Sequence, residues 1–230
     1  MTAKSKFPPM KSEVLTTRGL LITLEGIDGC GKSTQSEILQ RKLKESNTPF
    51  IPVREPGGTA VGENIRQVLL DNQYSPSLQA ELFLYMAARS ELTEQVIVPS
   101  LLAGRIVLCD RFTDSTLAYQ GYGGGADLNL IRFLNCKATG GISPDLTVLF
   151  DLTVEEAAAR RGATADRMES KDYRFHQRVR NGYLELAGLE PQRIKIVNAS
   201  GAMEKQGRII WQLVQDLITG HSSERSSNEF

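Results

Sequence analysis

The chain has 230 residues, with 27 Lys and Arg against 27 Asp and Glu, so its formal net charge is zero. That length holds one domain with room for a short appendage, and it buries enough surface to fold without disulfide or metal staples. The balanced charge argues against a dedicated polyanion binder such as a nucleic-acid protein, and no apolar run approaches the ~20 residues of a membrane span.

Three scattered cysteines, Cys30, Cys109 and Cys136, form no CxxC pair. They suit a reducing compartment and offer no metal site. Residues 1–18 carry Lys4, Lys6, Lys11 and Arg18 against Glu13 and lack the apolar core of a secretory signal. They read as a flexible extension of a cytoplasmic protein, with an organelle transit peptide as the alternative.

Leu20–Glu25 is a short apolar run between glycines and predicts a buried strand. A helical pattern follows from Lys32 to about Glu45, then a strand at Phe50–Val53 and a short helix at Gly62–Leu70. Ser77–Leu102 predicts one long helix, and Arg105–Cys109, Leu146–Phe150 and Ile194–Val197 complete the strands. Further helices are expected at Leu128–Ala138, Val154–Arg161, Tyr173–Ala187 and Met203–Ile218, before a Ser-rich tail, 221–230, expected to be disordered. Short apolar strands alternating with helices predict an α/β fold with a parallel sheet covered on both faces. Ligands of such sheets sit at the carboxyl ends of the strands.

The first strand runs into Gly26-Ile27-Asp28-Gly29-Cys30-Gly31-Lys32-Ser33-Thr34, which matches GxxxxGK[ST]. Its glycines let backbone amides turn around phosphate oxygens, Lys32 reaches the terminal phosphates, and Ser33 is placed to ligate Mg²⁺. This is a nucleoside triphosphate site. Asp110, just past the third strand, is either a solvated turn residue or the second Mg²⁺ ligand, and the cation of Arg111 beside it favours a phosphate site. In the long helix, Leu78, Leu82, Tyr85, Arg89, Leu92 and Val96 form one stripe. A guanidinium on that apolar stripe needs an internal carboxylate or a bound anion or base, and Tyr85 lies one turn away. Arg54-Glu55-Pro56-Gly57-Gly58-Thr59 follows the second strand as a tight turn or as part of the site. Arg160, Arg161 and Arg167 are either helix-end charges or a cationic flap. His176 and His221 stand apart from every motif, and His176 reads as a surface helix residue.

These segments, together with Ala87-Ala88-Arg89, Asp110-Arg111-Phe112, Ser115-Thr116-Leu117-Ala118-Tyr119-Gln120-Gly121, Pro144-Asp145-Leu146 and Asp166-Arg167, resemble bacterial thymidylate kinases from about Gly19 to Gly220. The resemblance implies one domain over 19–220 with a P-loop kinase fold: a five-stranded parallel sheet flanked by helices, and a short mobile lid at about 160–168. It implies transfer of the γ-phosphoryl of ATP to dTMP in dTTP synthesis, with Mg²⁺ on Ser33 and Asp110, and a homodimer. ATP would lie on Gly26 to Thr34 with Arg160 and Arg167. dTMP would meet Asp28, Arg54, Glu55, Arg111, Thr116 and Gln120, with thymine on Tyr85, its edge on Arg89, and Tyr119 where a ribose 2′-hydroxyl would stand. Lys32, Asp110, Arg111 and Arg161 would form the catalytic set. Many family members carry Phe where Tyr85 stands, and Gly29 resembles the branch that draws its catalytic arginine from the lid. A regulatory GTPase is disfavoured because no NKxD element occurs in the sequence.

Overall fold

The strands are β1 (Leu21–Glu25), β2 (Phe50–Arg54), β3 (Ile106–Asp110), β4 (Leu146–Asp151) and β5 (Ile194–Asn198), each within two residues of its expected bounds. In the computed structural model, which describes residues 18–160 and 166–227, they form one sheet of order β2-β3-β1-β4-β5. Every pairing is parallel, and Leu24 stands in register with both Asp110 and Val148. The chain leaves β1 for one side of the sheet and later returns to the other, so strand order reverses beside β1. That reversal opens a crevice at the carboxyl ends of β1, β3 and β4. Pro52 is tolerated in β2 because, among the described residues, that strand is the sheet edge and pairs only with β3.

Period-two alternation divides β1 between two cores. Ile22 and Leu24 pack with Leu39, Leu43 and Val148, and Leu21 faces Leu92, Ile97, Val107 and Cys109. Thr23 breaks the apolar run, and its hydroxyl is satisfied by that of Thr147 at 2.8 Å.

The helices are α1 (Lys32–Glu45), α2 (Ala60–Leu70), α3 (Leu78–Leu92), α4 (Val98–Leu102), α5 (Thr113–Thr116), α6 (Leu128–Thr139), α7 (Val154–Arg160), α8 (Tyr173–Leu189) and α9 (Met203–Ser227). Thr59 and Ser77 cap α2 and α3, accepting from the N–H groups of Gly62 and Ala80.

Four expectations are corrected. The single helix over Ser77–Leu102 is interrupted by a π-helical turn, Thr93–Ile97. Pro99 supplies no N–H and crowds the carbonyl four residues back, so the ladder widens just before it. Residues 113–123, unassigned from the sequence, form α5 and a π-helical segment, Leu117–Gly123. Glycine hid this helix by its low propensity, yet α8 packs close here: a Cβ on Gly123 would lie 2.7 Å from Val179 Cγ2.

His176 is buried on α8, its Nε2 at 3.3 Å from the Glu169 carbonyl and its ring edge-on to Phe175. It shares the inward face with Phe175, Val179 and Tyr183, which the polar residues between them concealed. Finally, α9 continues to Ser227, so much of the expected disordered tail is helical. His221 donates to the Arg18 carbonyl at 2.8 Å, and the Arg18 guanidinium meets both Asp145 oxygens at 2.9 and 2.8 Å. Arg18 thereby belongs to the folded body; residues 1–17 lie outside the described residues.

Candidate active site

Gly26, Gly29 and Gly31 all have positive φ, which places the loop backbone where a side chain would be strained. At Gly26 there is also no room, because a Cβ would lie 2.6 Å from the Phe150 carbonyl. The loop delivers the chain to α1, whose first residues present free N–H groups. Lys32 Nζ folds back onto the Gly26 and Ile27 carbonyls at 3.1 and 3.2 Å. The ammonium is thereby held over the cavity floor by bonds that a phosphate oxygen can replace.

Two pockets meet at the crevice. The larger, about 610 Å³, is lined by the loop from Asp28 through Thr34, with Asp110, Arg111 and Arg160. The narrower one is lined by Glu55, Tyr85, Arg89, Thr116, Tyr119 and Gln120. Asp28 and Arg111 belong to both.

Arg111 has φ 70°, a left-handed conformation that costs a non-glycine residue energy and is held by its surroundings. Its backbone N–H bonds the Leu24 carbonyl at 3.0 Å. Its guanidinium meets Asp28 at 2.5 Å and the Tyr119 hydroxyl at 3.1 Å, while Nη1 donates to the Gly26 carbonyl at 3.0 Å. The Tyr119 hydroxyl donates to the other Asp28 oxygen at 2.8 Å. Burial alone would raise the Asp28 pKa, but Arg111 and Lys32 outweigh it and hold the carboxyl well below the usual carboxylate range. Asp28 is an anion at neutral pH, locked in a cationic frame.

Beneath Arg111 sits Glu25, the last residue of β1, fully buried. It accepts from Phe112 N at 2.7 Å, Ser115 Oγ at 2.6 Å and Tyr183 Oη at 2.8 Å. Ser115 and Tyr183 in turn accept from Arg111 Nη1 at 3.2 and 3.3 Å. Burial, with Asp114 nearby, raises the Glu25 pKa to about 7. The sequence did signal this residue: a carboxylate closing an apolar strand needs buried partners.

Arg89 unites the two readings of its stripe. It lines the narrow pocket, and it is also paired with the buried carboxylate of Glu55 at 2.6 Å. Its remaining donors reach Thr116 at 3.0 Å, Asn135 at 2.5 Å and the Phe112 carbonyl at 3.0 Å. With every guanidinium N–H engaged, Arg89 meets a ligand only in competition with these partners. Burial pushes the Glu55 carboxyl up against the pull of Arg89.

Not every expected residue is where the sequence placed it. Arg54 borders the larger pocket, not the narrow one, and pairs with Glu63 on the surface at 2.9 Å. Its side chain is about half exposed there. Gly26 and Ile27 shape the loop and hold Lys32 without lining either of these pockets. Arg160 lines the larger pocket and donates to the Ala199 carbonyl at 3.0 Å. Arg167 does not line it: its Nε bonds the Leu69 carbonyl at 2.7 Å and Nη2 pairs with Glu81 at 2.5 Å, which draws it to the base of α2 and α3. Arg161 lies outside the described residues. Arg66, which the sequence reading passed over, borders both pockets and donates to the Pro56 carbonyl at 2.9 Å. Its position one turn after Gly62 on α2 was the available signal.

Asp110 Oδ1 is buried with no hydrogen-bond partner among the described residues, in the pocket that Ser33 also lines. An unsatisfied carboxylate oxygen with a hydroxyl across the same cavity is a hard-oxygen donor set that fits Mg²⁺. Among the described residues no cluster of three His, Cys, Asp or Glu side chains forms a self-contained metal site.

A parallel sheet with a phosphate loop at its switch point and a second pocket beside it defines a P-loop kinase. The thymidylate kinase family model matches residues 24–209, and the chain belongs to that family. It is 48% identical over 197 residues to a thymidylate kinase of Synechococcus sp. strain JA-2-3B'a(2-13), covering 85% of this chain and 94% of the relative. It is 47% identical over 189 residues to that of Pelotomaculum thermopropionicum, covering 80% and 88%. The crystal structure of thymidylate kinase from Ehrlichia chaffeensis superposes with a TM-score of 0.71 at 35% identity, covering 86% of this chain and 98% of the other. The family and fold expected from the motifs are borne out.

Proposed function

We propose that this protein transfers the γ-phosphoryl group of ATP to dTMP, giving dTDP and ADP. Thymidylate kinases catalyse that reaction, and the observation that carries it to this chain is the Asp28–Arg111 pair on the wall shared by the two pockets. ATP occupies the larger pocket and dTMP the narrower one, so the two reacting phosphates meet at Arg111.

The acceptor phosphate is already a competent nucleophile, and catalysis is alignment plus neutralisation of spreading charge. Lys32 supplies the cation on the donor side and Arg111 on the acceptor side. Asp28, kept anionic, pins Arg111 and offers an acceptor to the sugar 3′-hydroxyl. Tyr119, buried beside Asp28, fills the space a 2′-hydroxyl would need. Ser33 and Asp110 are the residues that would hold Mg²⁺, which when bound shields the polyphosphate charge. Arg160 and Arg161 add lid cations toward the donor phosphates.

The protein acts as a cytoplasmic homodimer in this reading. No helix among the described residues is long and apolar enough to cross a membrane. α3 and α6 pack together and leave Phe83, Leu130 and Phe133 exposed, an apolar face suited to a second copy. Light scattering is expected to report a dimer that Phe83→Arg shifts toward monomer.

A coupled ADP-release assay across dTMP, dUMP, UMP, CMP and thymidine tests the activity. dTMP is expected to turn over with the highest kcat/KM. Faster turnover of thymidine than of dTMP overturns the assignment of Arg111 to an acceptor phosphate.

A further inference from the structure

Gln120 is buried in the wall of the narrow pocket. The two ends of its amide are chemically opposite, since Oε1 accepts and Nε2 donates. Nε2 donates to Glu81 Oε1 at 2.8 Å. Glu81 is itself buried in the first turn of α3, and its other oxygen pairs with Arg167 at 2.5 Å. An ion-paired carboxylate accepts and does not donate, so turning the Gln120 amide over would set oxygen against oxygen. Oε1 accepts no hydrogen bond from the described residues, and it is therefore the end left for the pocket.

We propose that Glu81 is a positioning residue for base selection. By fixing the Gln120 amide it presents an acceptor to the base, which then has to bring an N–H. The N3 atom of thymine or uracil carries that hydrogen, and the N3 atom of cytosine carries a lone pair. The Glu81 carboxylate thus sets the polarity of the site without touching the nucleotide. This inference rests on reading the narrow pocket as the nucleoside monophosphate site. Arg167 extends the same cluster to the chain leaving the lid, because its N–H and Nε bond the Leu70 and Leu69 carbonyls at 3.1 and 2.7 Å.

The substitution Glu81→Gln reverses the logic. Its amide oxygen has to face Arg167, which leaves its NH₂ facing Gln120. The Gln120 amide then turns over and offers Nε2 to the base, where cytosine N3 accepts. The experiment measures kcat/KM for dTMP and dCMP, with calorimetric Kd values for both, on the full chain, on Glu81→Gln and on Gln120→Met. A site built around one hydrogen bond rejects the wrong partner strongly, so Glu81→Gln is expected to weaken dTMP and strengthen dCMP by about tenfold or more each, chiefly through KM and Kd.

Gln120→Met, which leaves the Glu81–Arg167 pair in place, is expected to erase the preference from both sides. Equal losses for the two nucleotides in Glu81→Gln mean a merely structural role and overturn the proposal. So does a Gln120→Met protein that keeps the parent preference, and this arm remains decisive should Glu81→Gln fail to fold. The underlying reading fails separately: a parent chain that binds dTMP in preference to dCMP without turning it over removes the kinase assignment and leaves the Kd comparison to judge Glu81. A parent chain that binds neither overturns both.

Discussion

Replacing Glu25 by Gln isolates a buried charge whose cost depends on pH. Burial raises the Glu25 pKa from 4.5 to about 7, so the folded chain binds this proton more tightly than the unfolded chain does. For such an acid, stability is greatest below the unfolded value, is lost as pH climbs through the window from about 4.5 to 7, and levels off above it. Integrated over that window, ionising Glu25 costs about 3 kcal/mol, most of it between pH 5 and pH 8. Gln cannot ionise. It keeps an acceptor for Phe112 N–H, and the Ser115 and Tyr183 hydroxyls can rotate to accept from its NH₂, so its own penalty is about 1 kcal/mol and independent of pH. Urea unfolding of both proteins at several pH values gives the difference directly. Relative to Glu25→Gln, the parent chain is expected to lose about 2–3 kcal/mol from pH 5 to pH 8. A difference that stays constant with pH, or that moves in favour of the parent as pH rises, refutes the account of Glu25 as a carboxyl lifted by its surroundings.

Removing the Lys32 ammonium by Lys32→Ala is expected to lower kcat by about 10²–10³ with the fold intact, since the glycines that shape the loop remain; near-parent turnover would remove Lys32 from the mechanism. Glu55→Ala leaves the Arg89 guanidinium buried without its carboxylate and is expected to cost about 3–5 kcal/mol in denaturant unfolding. A loss near zero would show that Thr116, Asn135 and the Phe112 carbonyl hold the cation unaided. Tyr119→Ala is expected to narrow the kcat/KM preference for dTMP over its ribose counterpart by admitting a 2′-hydroxyl; an unchanged ratio places sugar discrimination elsewhere. Arg161→Ala is expected to cut the single-turnover rate by about 10³ or more while the calorimetric affinity for dTMP stays level, and a parent-like rate would move the lid cation to Arg160.

Local rules sufficed where a segment's structure follows from its own residues. The strands were legible because short apolar runs between breakers have no alternative way to bury themselves, and the phosphate loop was legible because GxxxxGK[ST] carries its turns in its glycines. Asp28, Arg111, Tyr119 and Gln120 were identified from motif resemblance and do converge on the crevice. Contacts between distant segments were not legible. Nothing in the pattern of α8 announced that His176 turns inward, because burial depends on which neighbour covers the helix. Arg167 looked like a donor-site cation until the fold set it between Leu69 and Glu81. The same holds for Glu25, whose strand was evident but whose raised pKa comes first from burial beneath distant elements and then from Asp114. Sequence determines what each segment can become from short-range sterics and polarity. The partners of a buried charge are decided only when the sheet closes, because electrostatic energy depends on distance and dielectric in three dimensions.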